Sequence, residues 1–151
     1  MEHKSISRML LIAGGIAALA AAAVVLWIIP VEVLMFLNVS VFRKVLCLAF
    51  DAAILVFGFA ALVKYALICI EIGKNRSFSR ENVVNMGGIA KCLFCCGGCC
   101  LGFALPVWSA ASFWPEVLAA IACCGLGVIA YALSRLLDHA VTLQEENDLT
   151  V

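Results

Sequence analysis

Nine cysteines and one acid set inside an apolar run are the residues of this chain best suited to chemistry. The densest group is Cys92-Leu93-Phe94-Cys95-Cys96-Gly97-Gly98-Cys99-Cys100. Cys92-x-x-Cys95 and Cys96-x-x-Cys99 both have the spacing of a metal or dithiol site. A structural zinc, however, needs four ligands closed into a tetrahedron. A reactive thiol needs a polar, accessible setting that lowers its pKa. A run of apolar neighbours supplies neither, so the cysteines read as small, soft packing residues. Cys95 with Cys99, Gly98 with Gly102, and Cys123 with Gly127 then form small-residue faces for close helix contact. No metal and no cofactor is expected. A thiol-redox membrane enzyme is the rival and would need an accessible, low-pKa cysteine. A disulfide from Cys47 to Cys123 or Cys124 stays open, since spacing does not give connectivity.

Asp51 is the one acid clearly within an apolar run. An acid at membrane depth usually faces a bundle interior and marks a path or a ligand contact. The alternative is an acid held by water, by Lys44 on its own face, or by Ser109 and Ser112 at the same level of a neighbouring helix. Asp51, Ser109 and Ser112 are therefore the candidate ligand-binding residues. No Ser-His-Asp order, phosphate-binding glycine loop or HExxH helix occurs. His3 and His139 read as surface residues. No catalytic residue is expected, and the chain reads as a non-enzyme.

The elements that must position these residues follow from composition. Of 151 residues, 66% are hydrophobic and 13% charged, with a formal net charge of zero; soluble domains carry about 25% charged residues. This excludes a disordered chain, an ordinary water-soluble domain and a nucleic-acid binder held by net positive charge. Apolar runs recur at 9–29, 45–65, 92–111 and 117–137. About 20 residues at 1.5 Å rise cross a hydrocarbon core of roughly 30 Å. The runs are too long for barrel strands and lack period-2 alternation. The expected fold is all-α: an integral membrane, up-down four-helix bundle forming one domain over 1–151, with a helical acidic tail at 138–151. The first run, with its basic start, is long for a signal peptide and reads as a retained helix.

Eight of the ten Lys and Arg residues fall on the side of the termini if both termini are cytoplasmic, leaving only Arg43 and Lys44 outside. Trp27, Trp108 and Trp114 then lie at outer ends of spans, as an interfacial belt requires. The outer loop 30–44 is apolar and reads either as a segment lying on the outer leaflet or as a lid. The inner loop is basic. Within it Ser79 can cap a helix starting near Arg80, with Phe78 and Val83 placed as a hydrophobic staple, and Gly87-Gly88 can loosen or bend that helix. Past Arg135 the residues Leu133, Leu136, Leu137, Ala140 and Leu143 keep a helical stripe. The acidic end (Asp138, Glu145, Glu146, Asp148) faces a basic loop (Lys74, Arg76, Arg80, Lys91), and docking of one on the other competes with two solvated surfaces.

At two places the sequence resembles a known family. Phe78-Ser79-x-Glu81-Asn82 and the terminal Leu143-Gln144-Glu145-Glu146-Asn147-Asp148-Leu149-Thr150-Val151, on a four-span chain of this length, resemble the YoaS-like family of small bacterial membrane proteins. The resemblance implies a domain of unknown function and a bacterial inner membrane location. It further implies a small helix-turn-helix regulator as partner, and it carries no site residues. The functional expectation is a signalling or regulatory membrane protein that contacts a soluble partner through its loop and tail. The partner-binding candidates are Arg76, Arg80, Glu81, Asn82, Glu145, Glu146, Asn147 and Asp148. The alternative is a small transporter or ligand-binding bundle built on Asp51. The lipid bilayer is the constant partner, a second copy of the chain is an open one, and direct nucleic-acid binding is not expected.

Overall fold

A computed structural model describes residues 11–12, 14–15, 41–74, 78–104 and 110–149, the side chains of 110–112 and 148–149 excepted. These residues are helical apart from short turns. Three long helices, α1 (Val41–Gly73), α2 (Arg80–Ala104) and α3 (Ala110–Leu149), run 33, 25 and 40 residues. All three are long and apolar enough to cross a membrane. A helix satisfies its own backbone, which lipid cannot do for it. The first expected span lies largely outside the described residues. Leu11, Ile12, Gly14 and Gly15 are helical, and Gly14 meets the ring of Tyr65 on α1.

Local chemistry sets most helix ends. At the start of α2, Ser79 accepts the Asn82 backbone N–H on its side chain at 3.3 Å. Its carbonyl takes the N–H groups of Asn82 and Val83 at 3.0 and 3.3 Å, which makes it the expected cap. Phe78, the outer half of the expected staple, is exposed. At the end of α1 the Lys74 N–H returns to the Glu71 carbonyl and the Lys74 ammonium pairs with the Glu71 carboxylate at 2.7 Å.

Two bounds differ from the sequence expectation. Residues 105–109 lie outside the described residues, and Ala110 and Ala111, expected at the end of the run 92–111, belong to α3. Residues 41–44, expected in the outer loop, are helical and belong to α1. Gly87-Gly88 does not break α2.

α2 lies between α1 and α3 and packs on both. The buried positions of α3 are Ala120, Gly127, Ala130, Ser134 and Val141; all but Ala130 are seven residues apart, as in a left-handed helix pair. Toward α1, Phe103 meets Cys47 and Phe50. Apart from Phe103, Ile68 and Val141 the buried side chains are small or polar (Cys69, Ala90, Ala104, Asn82, Ser134), while Leu48, Val56, Phe59, Leu118 and Ile121 point outward. In water this arrangement would be inside out; against lipid it is the expected one, since small residues let helices approach and large ones face the acyl chains.

Gly97 shows the closeness. A Cβ at that position would stand 2.7 Å from the Cys124 sulfur and 3.2 Å from the Ala120 carbonyl oxygen. The cysteine faces differ in detail from those the spacing suggested. Cys96 and Cys100 are buried, Cys95 is exposed, and Gly98 has open space around it. Cys123 does pack at Gly97, and a Cβ at Gly127 would stand 3.3 Å from the ring of Phe94.

Candidate functional site

Polar side chains gather at both ends of the three-helix layer. At the end holding the start of α2 and the end of α3, Arg80 is central. Its Nη2 donates to Glu145 Oε2 at 2.9 Å, its Nε to Glu145 Oε1 at 3.3 Å, and its Nη1 to Asp138 Oδ1 at 3.2 Å. The guanidinium thus grips one carboxylate with two parallel N–H groups and a second with the third, a geometry lysine cannot supply. Glu145 and Asp138 lie seven residues apart on α3, two turns on one face. Hydrogen bonds from Arg80 hold the Glu145 carboxyl below its ordinary value of 4.5. All three groups are solvated, so the clamp is open to competition by salt.

Beneath the clamp the contact is tighter. Ser134 Oγ donates to the Val83 carbonyl at 3.0 Å, and both Ser134 and Asn82 are buried, Asn82 to 1% exposure. Gly87 faces Ser134, and Gly88 faces the Lys64 stem, whose Cδ and Cε lie 2.6 Å from where a Cβ would stand. The glycine pair therefore admits one polar side chain from each flanking helix.

Of the expected partner-binding residues, Arg80 and Glu145 meet, joined by Asp138. Glu81, Glu146 and Asn147 are on the surface, and Asn82 is inside the packing. Arg76 and the side chain of Asp148 lie outside the described residues. Lys74 turns to Glu71 and Lys91 is exposed away from the clamp.

At the opposite end Asp51 is half-buried. Its carboxylate is near enough to Glu116 of α3 for the two charges to interact, and Glu116 is near Cys100 in the same way. Asp51 makes no ion pair with Lys44 among the described residues. Ser109 and the side chain of Ser112 lie outside them. Glu116 was not singled out from the sequence. The signal available was its place directly after Pro115, at the entrance to an apolar run. Trp114, one expected belt residue, is exposed and stacks edge-on with Phe113 at 5.7 Å; Trp27 and Trp108 are outside the described residues.

None of the nine cysteines is in a disulfide. Cys47 packs at Phe103 on the α1 side of α2, whereas Cys123 and Cys124 pack at Gly97 on its α3 side, less than two turns away along the helix. Cys96 donates its S–H to the Ile54 carbonyl at 3.8 Å. Among the described residues no three His, Cys, Asp or Glu side chains converge as a metal-holding group.

No curated protein and no solved structure matches the chain. A family model described as a protein of unknown function, DUF2975, matches residues 2–151, nearly the full length, and the chain belongs to that family.

Proposed function

We propose that the protein is a non-enzymatic, multi-pass regulator of a bacterial inner membrane, with four spans and both termini in the cytoplasm. Within its family it sits with the YoaS-like members, on Phe78-Ser79-x-Glu81-Asn82 and the 143–151 end. It presents the Arg80 end of the bundle to a soluble partner, for which a small helix-turn-helix regulator fits. The observation that carries the reading is the Arg80 clamp. It holds the acidic end of α3 against the start of α2 and so builds one composite polar surface, with Glu81 and Glu146 exposed beside it. A partner that competes for Arg80 or for the two carboxylates would change that surface, which is what a regulatory contact requires. The test is a pull-down from native membranes with the full chain, with a chain lacking 138–151, and with Arg80→Ala. A soluble protein retained by the first and lost from the other two supports the reading. Equal capture by all three rejects it.

A second reading, a ligand-binding or transporting bundle, is favoured by one observation. Asp51 and Glu116 stand within electrostatic reach of each other, and Glu116 of Cys100, and two carboxylates at one level suit a cation or proton. Between that level and the Arg80 end the interior offers thiols, small residues and the Lys64 stem, which makes a poor polar path.

A further inference from the structure

Three cations from three helices gather within about one turn of Gly88. Lys64 of α1 lies over that glycine: its Cδ, Cε and Nζ stand 2.6, 2.6 and 2.8 Å from where a Gly88 Cβ would be. Lys91 follows Gly88 by three residues and Gly87 by four, so it shares their face of α2, and its Cα–Cβ bond tilts back toward them. On α3, Ser134 faces Gly87 and Gly127 faces Phe94, which places Tyr131 at the height of Lys91. Arg135 is turned back on Tyr131. Its Nε and Nη2 donate to the Tyr131 hydroxyl at 3.1 and 3.0 Å, and its Cζ lies 5.3 Å from the ring centre. None of Lys64, Lys91 and Arg135 makes an ion pair among the described residues. Asp138, the acid whose charge Arg135 feels, is engaged by Arg80.

The cations also open to one side. Arg80, Val84, Gly87 and Lys91 follow one strip of α2, and Tyr131, Arg135, Asp138 and Glu145 one strip of α3. Arg80 bridges the first strip to the second, so both border the same groove. The described part of the N-terminal helix is on another face: Gly14 meets Tyr65, about 100° round α1 from Lys64. The level is that of a membrane edge. From Lys64 back to Lys44 α1 rises about 30 Å, the thickness of a hydrocarbon core, and tyrosines at 65 and 131 suit an interface. Toward the bilayer the α2 strip continues as Phe94, Gly98 and Leu101, all exposed, with open space at Gly98. Cations at the edge and an apolar, notched strip above them follow the order of a phospholipid, headgroup and then acyl chain.

We propose that Lys64, Lys91 and Arg135 hold the phosphate of an anionic phospholipid whose acyl chain lies along Phe94, Gly98 and Leu101. Snorkelling alone would leave each cation free to seek water. Here two of the three are already placed, the Lys64 stem against Gly88 and the Arg135 guanidinium by Tyr131, so less freedom is lost when a ligand arrives. The two hydrogen bonds to Tyr131 use Nε and Nη2 of Arg135, which leaves Nη1 for a phosphate oxygen, the acceptor a guanidinium fits well. Charge selects among headgroups. Three cations surround one anion, and a zwitterionic headgroup would bring a fourth positive charge among them, whereas a net-negative one brings none. A free phosphate shares the headgroup's chemistry and gains nothing from the apolar strip. The inference goes beyond the soluble-partner reading and does not depend on it.

Native mass spectrometry of the full chain, released from bilayer discs of equal phosphatidylglycerol and phosphatidylcholine, tests it. Each cation near a negative lipid surface is worth roughly fivefold, so the wild type should retain phosphatidylglycerol over phosphatidylcholine by about tenfold or more. Lys64→Gln with Lys91→Gln and Arg135→Gln should bring that preference below about twofold. Arg43→Gln with Lys44→Gln and Lys74→Gln removes the same charge from other exposed positions and should keep it. Millimolar inorganic phosphate should leave the lipid in place. No preference in the wild type, equal loss in both triple variants, or displacement by inorganic phosphate overturns the proposal. A second measurement needs no substitution. Phosphatidylglycerol with a photoactivatable headgroup, in vesicles, should label residues 84–95 and 131–138 well above 41–48, and labelling spread evenly over both ends also overturns it.

Discussion

Gly97→Ala and Gly98→Ala change neighbouring residues of α2 by the same methyl group, and the packing sends them in opposite directions. In a helix interior, alanine is favoured over glycine by up to about 1 kcal/mol. At Gly98 nothing lies within 4 Å of the new methyl, so the propensity gain stands alone. At Gly97 the methyl would meet the Cys124 sulfur at 2.7 Å and the Ala120 carbonyl oxygen at 3.2 Å. The sulfur can rotate away. The carbonyl is backbone and can yield only if α3 moves as a whole, and overpacking of this kind costs about 1–3 kcal/mol. The net expectation is a gain of 0 to about 1 kcal/mol for Gly98→Ala and a loss of about 1–2 kcal/mol for Gly97→Ala. A gap of that size changes the folded-to-unfolded ratio by roughly one to two orders of magnitude. Thermal unfolding of both purified variants in the same detergent, with the wild type alongside, reads the gap directly. Gly97→Ala as stable as Gly98→Ala, or more so, would refute the close contact between α2 and α3.

Ser134→Ala removes the hydrogen bond to the Val83 carbonyl and should cost about 0.5–1.5 kcal/mol, while Ser134→Thr should be worse through crowding at Gly87; unfolding midpoints of the two variants check the order. The Arg80 clamp should depend on pH. The Glu145 carboxyl is held below its ordinary value, so the contact is fully present above that value and is lost as pH falls through the depressed one. A distance probe between α2 and the end of α3 should therefore report docking at neutral pH, release in acid and weakening with added salt, and a separation insensitive to both would contradict the clamp. Asp51→Asn keeps size and hydrogen-bonding capacity but removes charge. On the regulatory reading it leaves partner capture unchanged and relieves the repulsion with Glu116. A cation or amphiphile that thermally stabilises only the wild type would instead favour the ligand-binding reading.

Much of the helical layout follows from local physics and is legible in the sequence. Ser79 caps α2 where a capping residue precedes an apolar run, and α3 continues past Arg135 because its apolar period does. Arg80 meeting Glu145 and Asp138 follows from a basic loop and an acidic tail that two antiparallel helices place together. Glu116 within electrostatic reach of Asp51 had little signal, since the two lie on different helices, brought to one level only by the packing of both on α2.

The sequence by itself determined that the chain is helical and apolar enough to cross a membrane, because those properties depend on composition and on contacts within a few residues. Only the tertiary structure decided which face of each helix is inside. In water a hydrophobic stripe marks the buried side. In a bilayer both sides are apolar, and hydropathy no longer separates the packed face from the lipid face. Size separates them: Ala120, Gly127 and Ser134 lie against α2, while the larger Leu133, Leu136 and Leu143 turn outward. Which small residues find each other depends on the fit of two complete surfaces, and no single helix carries that information.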